Sequence, residues 1–334
     1  MENEYVKQYP DVMKGKTIMY VHGFGSSAQS GTVGRLREML PGARVVAEDI
    51  PIAPHEGIAM LREMAEREQP DLIVGTSMGG MYAEMLYGFD RIVVNPAFKI
   101  ADTMQAHGMI GKQTFQNPRK DGVQEFIMTK AMCKEYREVA EQCFTQVTEE
   151  EQNRVWGLFG DKDPLVDTFQ LFHQHYPKAI SFHGEHRMND KVFVHSVIPV
   201  IRWIDDLQEG RERRVVYIAV NALRDEQGQQ RSSAMKAYRY LMEHYDVHIV
   251  ADAPDYDTSY IKEVQDWIKE TVNVPAFRHL MFNNHKQLLY GDYLIDPDTH
   301  NGAEDFLGTR IELGSNRFKT WEEIIEYFGR LGGQ

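Results

Sequence analysis

Cysteine is nearly absent: Cys133 and Cys143 are the only two in 334 residues, which excludes a disulfide framework. They lie in a stretch of helical spacing with no motif histidine or second ligand pair beside them, so they read as packing residues and not as metal ligands. Long apolar runs are missing too. None approaches the roughly 20 residues of a membrane span, and "MENEYVKQYPDVMKGK" lacks the apolar core of a signal peptide, so the expected compartment is the cytoplasm. Positive charge is scarce, with 37 Lys and Arg against 50 Asp and Glu and a net charge of −13. A surface of that sign disfavours a nucleic-acid backbone or an anionic membrane as partner and leaves a small molecule. Neither an internal repeat nor a low-complexity tract is present.

What remains is ordinary globular material: 42% hydrophobic and 26% charged residues, in a chain long enough for two domains. From Thr17 apolar runs alternate with amphipathic segments: "TIMYVHG", a helix over Arg35–Leu40, "ARVVAEDI", a helix over Ile58–Glu68, "DLIVGTS", a helix from Met78, then "RIVVNPA". This is the rhythm of a parallel sheet covered on both faces. It breaks between about 98 and 153, where "EFIMTKAMCKEYREVAEQCF" has helical spacing and predicts a helical insertion over the sheet's edge. The rhythm resumes with "NRVWGLFGDKDP" and "KAISFHGEH". Residues 209–214, polar and charged beside Gly210, read as a linker between a first domain, 1–208, and a second, 215–334, which opens on "VVYIAVNAL".

"DLIVGTSMGGMYAEM" sets Gly75-x-Ser77-x-Gly79 between a predicted strand and a predicted helix. A nucleophile on so sharp a turn needs glycine two residues before and after it, because side chains there would meet the neighbouring strand and helix. The bland alternative, a serine capping a helix, does not explain three glycines including Gly80. Serine needs a base, and the base needs an acid to hold its tautomer, both expected later in the chain. "GLFGDKDPLV" supplies Asp163 with Asp161 as rival, and "ISFHGEHRM" supplies His186 with His183 as rival. An oxyanion hole needs two backbone N–H groups: one falls at Met78, and the turn in "YVHGFGSS" offers Phe24, with His22 as a structural loop residue.

Taken in order, "YVHGFGSS", "GTSMGG", "VVNPAF", "GDKDPLV" and "GEHRM" resemble the α/β-hydrolase superfamily, particularly its small YqiA-like esterase branch, over residues 16–207. The resemblance implies Ser77 as nucleophile, Asp163 as acid, His186 as base, Phe24 and Met78 as oxyanion donors, and ester hydrolysis through an acyl-enzyme without a cofactor or metal. One local departure is "GEHRM", where a more glycine-rich or apolar setting for the histidine is expected. The insertion then becomes a lid or acyl pocket, with Met104, Met109, Phe115, Phe126 and Met128 as candidates either for its lining or for the domain's own core.

Residues 285–328 resemble the end of the 5′(3′)-deoxyribonucleotidase branch of the haloacid dehalogenase superfamily, and the similarity extends back to Val215. Such enzymes use an aspartate nucleophile and a second aspartate two residues on; those positions hold Ala219 and Asn221, and the phosphate-binding hydroxyl falls at Ala251. Lys286 is kept, and the acidic pair is reduced to Asp296 followed by Pro297. A methyl group cannot attack phosphorus, and an amide neither transfers the proton nor holds Mg²⁺ as a carboxylate does.

The expectation is therefore an α/β protein of two domains, a minimal α/β-hydrolase parallel sheet with a helical lid insertion followed by a haloacid dehalogenase-like three-layer domain. Its expected activity is that of a serine carboxylesterase or thioesterase on a small-molecule substrate. Asn221, Lys286 and Asp296 mark a remnant phosphate site, which either binds a phosphate or nucleotide or serves only as scaffold or dimerisation module. Mg²⁺ enters only if the second domain retains a site, and the alternatives are a Mg²⁺-dependent nucleotidase or a non-catalytic phosphate-binding protein.

Overall fold

A computed structural model describes residues 7–272 and 278–331; residues 1–6 of the N-terminal stretch lie outside them. The chain forms two compact units, Met1–Asp205 and Asp206–Gln334. The division falls within the helix Ile198–Gln208, just ahead of the 209–214 segment. Among the described residues no helix is long and apolar enough to cross a membrane.

The first unit is built on six parallel strands: β1 (Thr17–Val21), β2 (Arg44–Val46), β3 (Leu72–Thr76), β4 (Arg91–Val94), then, past a hairpin of β5 (Gly111–Thr114) and β6 (Glu125–Met128), β7 (Val155–Gly160) and β8 (Ala179–Phe182). They lie in the order β2-β1-β3-β4-β7-β8. Burial on both faces explains the continuous apolar runs of β1 and β3, which a half-exposed strand would break by alternation. The helix Pro54–Glu68 begins with proline in its first turn and buries Ile58, Leu61, Met64 and Ala65 along one stripe. Because every strand runs the same way, the loops after β1, β3, β4, β7 and β8 all emerge at one edge of the sheet.

The insertion differs from the wholly helical one expected. "EFIM" is β6, pairing antiparallel with β5 from Glu125↔Thr114 to Met128↔Gly111. The helix begins only at Lys130, because the Thr129 hydroxyl caps it by accepting from the Met132 N–H at 3.0 Å. Helices Ile100–Ala106 and Glu149–Arg154 complete the segment. It is tied to the helix Met78–Glu84 through the buried Glu84, which accepts 3.2 Å from the Phe144 N–H of the insertion and 2.6 Å from the Tyr176 hydroxyl. Cys133 and Cys143 are free thiols buried in this packing.

The second unit carries five parallel strands, β9 (Val215–Ala219), β10 (Asp246–Ala251), β11 (Leu280–Phe282), β12 (Tyr293–Ile295) and β13 (Thr309–Ile311), in the order β11-β10-β9-β12-β13. "VVYIAVNAL" is not strand throughout: β9 stops at Ala219 and Val220–Leu223 is a helical turn. The last helix, Trp321–Arg330, opens with a capping box of Thr320 and Glu323, and Trp321 Nε1 donates to the Ala222 carbonyl at 2.8 Å. The expected α/β architecture with two parallel sheets is what the chain forms.

Candidate active site

Ser77 stands at the end of β3 with φ 55° and ψ −120°, a left-handed backbone that a non-glycine residue adopts only when its surroundings force it. The forcing is steric. A Cβ on Gly79 would lie 2.0 Å from the Val21 carbonyl oxygen, and one on Gly75 would lie 2.4 Å from the Gly79 oxygen and 2.7 Å from the Ala83 methyl. Only glycine lets the new helix approach β1 and β3 this closely. Although Ser77 occupies the capping position of helix Met78–Glu84, its side chain makes no cap hydrogen bond. The hydroxyl faces His186 instead, with Nε2 to Oγ at 3.0 Å.

His186 Nδ1 lies 2.7 Å from Asp163 Oδ2, and Asp163 Oδ1 accepts from the N–H groups of Leu165 at 2.8 Å and Val166 at 3.0 Å. The Asp163 side chain is buried and the His186 side chain nearly so. An acid with its second oxygen held by two amides presents the first to Nδ1 and leaves Nε2 toward the serine. The rivals pair with each other: His183 Nδ1 is 3.1 Å from Asp161 Oδ2, just past the end of β8 and not inside its apolar run.

The N–H groups of Phe24 and Met78 donate to no acceptor among the described residues. The Phe24 loop is rigid for identifiable reasons. His22 is buried, with Nδ1 2.9 Å from the Gly23 carbonyl and Nε2 accepting from the Ile50 N–H at 3.0 Å. Burial pushes its pKa down to about 4, so it stays neutral at neutral pH, and both its ring nitrogens are engaged with backbone groups. The Phe24 ring meets Phe126 and Tyr136 edge-on at 5.4 and 6.2 Å, so the insertion packs directly on this loop.

Ser77 and His186 open into a cleft of about 580 Å³. Of the five apolar candidates in the insertion, Met104, Met109 and Phe126 line it. Met128 is wholly buried in the core, and Phe115 packs on Phe126 at 4.6 Å without lining the cleft.

In the second unit Asn221, Lys286 and Asp296 do come together. Lys286 Nζ is 2.7 Å from Asp296 and 3.1 Å from Asp252, and Asn221 Nδ2 donates to Asp298. Asp298, one position beyond Pro297, therefore brings a second carboxylate that the reading of the sequence had counted as missing. The ion pairs hold the Lys286 ammonium above its ordinary pKa against the opposing effect of burial. These residues do not fit a Mg²⁺ ion of the phosphatase kind. Ala219 offers no ligand oxygen, and the ammonium already stands on Asp296, where it would repel a divalent cation. Asp246, His248 and His279 form a separate group of metal-ligand type, in which the two imidazoles stack at 4.2 Å and both pair with the carboxylate.

Residues 17–199, more than half the chain, match the model of an uncharacterised protein family, UPF0227. The chain belongs to this family. A UPF0227 protein of Shewanella baltica is 24% identical over 165 residues, covering 46% of this chain and 79% of that protein. Proteins of Vibrio phage KVP40 and Staphylococcus aureus that carry the provisional name 5′(3′)-deoxyribonucleotidase are 33% and 32% identical over 94 and 104 residues. Each match covers 28% of this chain, and the chain spans only 55% and 57% of their lengths. Among solved structures, Est1E from Butyrivibrio proteoclasticus with bound ferulic acid is 13% identical with a TM-score of 0.41, covering 60% of this chain and 91% of that one.

One further residue of this UPF0227 chain links the loops around Ser77. Asn95, between β4 and Pro96, is buried with φ 45°, and its side chain bonds both loops that carry His186 and the acid. Its Oδ1 accepts from the Gly160 N–H at 2.7 Å, while Nδ2 donates to the carbonyls of Glu185 at 3.1 Å and His186 at 3.0 Å. An asparagine directly before proline at a strand end was the available clue, since asparagine tolerates positive φ.

Proposed function

We propose that the first unit is a serine hydrolase that cleaves carboxyl esters or thioesters through an acyl-enzyme. The observation that carries this reading is the line from Ser77 Oγ through His186 to Asp163, at 3.0 and 2.7 Å, on a strained elbow whose serine does not cap its helix. Ser77 Oγ attacks the substrate carbonyl carbon while His186 Nε2 takes the hydroxyl proton, and Asp163 stabilises the resulting imidazolium. The carbonyl oxygen becomes an oxyanion facing the free N–H groups of Phe24 and Met78. As the tetrahedral intermediate collapses, the bond to the leaving alcohol or thiol breaks and His186 returns the proton to it. Water, deprotonated by the same histidine, then attacks the acyl carbon and Ser77 Oγ departs with that proton. Hydrolysis of 4-nitrophenyl butyrate tests this: Ser77→Ala is expected to abolish turnover, and turnover equal to the unsubstituted protein refutes the reading.

The second unit is read as a phosphatase relative without phosphoryl-transfer activity. Supporting this, Lys286 is committed to Asp296 and Asp252, and Ala219 and Ala251 stand where a nucleophilic carboxylate and a phosphate-binding hydroxyl would be needed. Release of inorganic phosphate from nucleoside monophosphates with Mg²⁺ by the Ser77→Ala variant would overturn it.

A further inference from the structure

The cleft beside Ser77 is lined by both apolar and polar side chains. Phe24, Met104, Met109 and Phe126 are among the apolar ones, with Leu165 and Val166 from the loop after β7. Gln116, Asn117, Arg187 and Asn189 are among the polar ones, and Arg35 and Asp190 line the cleft too. The two arginines are not equivalent. Arg35 is neutralised, with Nη1 2.6 Å from Glu38 and Nε 2.8 Å from Asp190. Arg187 meets no carboxylate among the described residues; its single hydrogen bond there is from Nη2 to Gln116 Oε1 at 2.9 Å. Gln116 is itself placed by its own N–H, which donates to the Gly25 carbonyl at 2.7 Å, and the neighbouring Asn117 Nδ2 donates to Ser26 Oγ at 3.0 Å. The guanidinium is thus steered along the wall beside the oxyanion loop, with most of its donors unspent.

We infer that Arg187 is an anion subsite for the leaving group, so that the substrate is an ester or thioester whose alcohol or thiol portion carries a carboxylate or phosphate. This rests on the hydrolase reading. His186 delivers its proton to the departing alcohol or thiol, so the leaving group separates on the histidine's side of the cleft. Arg187 follows His186 directly in the chain and lines the same cleft, where its unspent donors are open to an anionic group, while the acyl portion takes the apolar side chains of Phe24, Met104, Met109 and Phe126. The sign of the whole protein sharpens the point. At a net charge of −13 the surface repels anions, and an uncompensated guanidinium at the mouth is what offsets that repulsion locally.

Three butyrate esters separate the outcomes: 4-nitrophenyl butyrate, 3-carboxy-4-nitrophenyl butyrate and 3-butyryloxyphenyl phosphate. In the full chain, Arg187→Gln is expected to lower the ratio of kcat/KM for a charged ester to that for the neutral one by about tenfold, mainly through KM, and Arg187→Glu by more. A fall confined to the carboxylate or to the phosphate ester identifies which anion the subsite takes. A ratio unchanged by both substitutions, with turnover still dependent on Ser77, overturns the subsite and leaves the hydrolase reading standing. Turnover that survives Ser77→Ala overturns both.

Discussion

The side-chain amide of Asn95 donates to the backbone carbonyl of His186 at 3.0 Å, so the His186 loop is held by a residue from a different strand end. The same side chain accepts from Gly160 at the head of the acid's loop. Asn95→Ala would leave one half-buried N–H and two carbonyls short of a partner, at about 1 kcal/mol or more in all. We expect a lower melting temperature and a kcat reduced tenfold or more with KM little changed, read by steady-state kinetics alongside thermal unfolding.

Two His–Asp pairs lie close in sequence and only one reaches the serine. Asp163→Asn is expected to reduce kcat by about 10³- to 10⁴-fold, because an amide at Oδ2 favours the wrong imidazole tautomer. Asp161→Asn alters the His183 pair and the bond from the Gly184 N–H, away from Ser77, and should change kcat by less than about threefold. Equal effects of the two substitutions would mean that the acid has been misassigned.

Glycine substitutions should divide by what a Cβ would meet. At Gly79 it overlaps the Val21 carbonyl at 2.0 Å, and Gly79→Ala is expected to abolish both folding yield and activity. At Gly34, within the helix Gly31–Met39, nothing lies within 4 Å. Gly34→Ala should therefore raise stability by about 0.5–1 kcal/mol, measured by denaturant unfolding.

Acid should weaken the loop that carries Phe24. His22 titrates at about 4 in the folded chain against an ordinary 6.5, so the unfolded state binds more protons between those values. Stability from this residue is full above pH 6.5 and is lost as pH falls through 4, to a limit of about 3 kcal/mol. His22→Gln can keep both the donor to Gly23 and the acceptor for Ile50 without that titration. Its urea midpoint should fall less steeply than that of the unsubstituted protein from pH 6.5 to pH 4; parallel slopes would rule out His22 as the source.

In the second unit Lys286→Met strands the buried Asp296 and should cost about 3–5 kcal/mol. The double substitution Lys286→Met, Asp296→Leu removes both charges and should recover most of that loss. A double variant no more stable than the single one would show that Lys286 acts through its packing and not its charge.

The local backbone of the first unit was legible in its sequence. Gly75, Ser77 and Gly79 between an apolar run and a helix imply a tight elbow, since only glycine fits where strand and helix converge. The apolar runs of β1, β3 and β4 imply a sheet buried on both faces. Ala219, which ends β9, and Asn221, in the helical turn after it, carry no carboxylate, and that too is read directly from the sequence. The hairpin inside the insertion was not legible, because "EFIM" has too few residues for its alternation to outweigh the helical spacing that follows. Nor could spacing decide between Asp161 and Asp163, or between His183 and His186, since each pair lies close together in the chain. Those choices depend on which carboxylate and which imidazole the ends of β7 and β8 turn toward Ser77. The link from Asn95 to His186, the committed state of Lys286 and the uncommitted state of Arg187 are likewise contacts between residues far apart in sequence. Only the folded chain brings them within hydrogen-bonding distance.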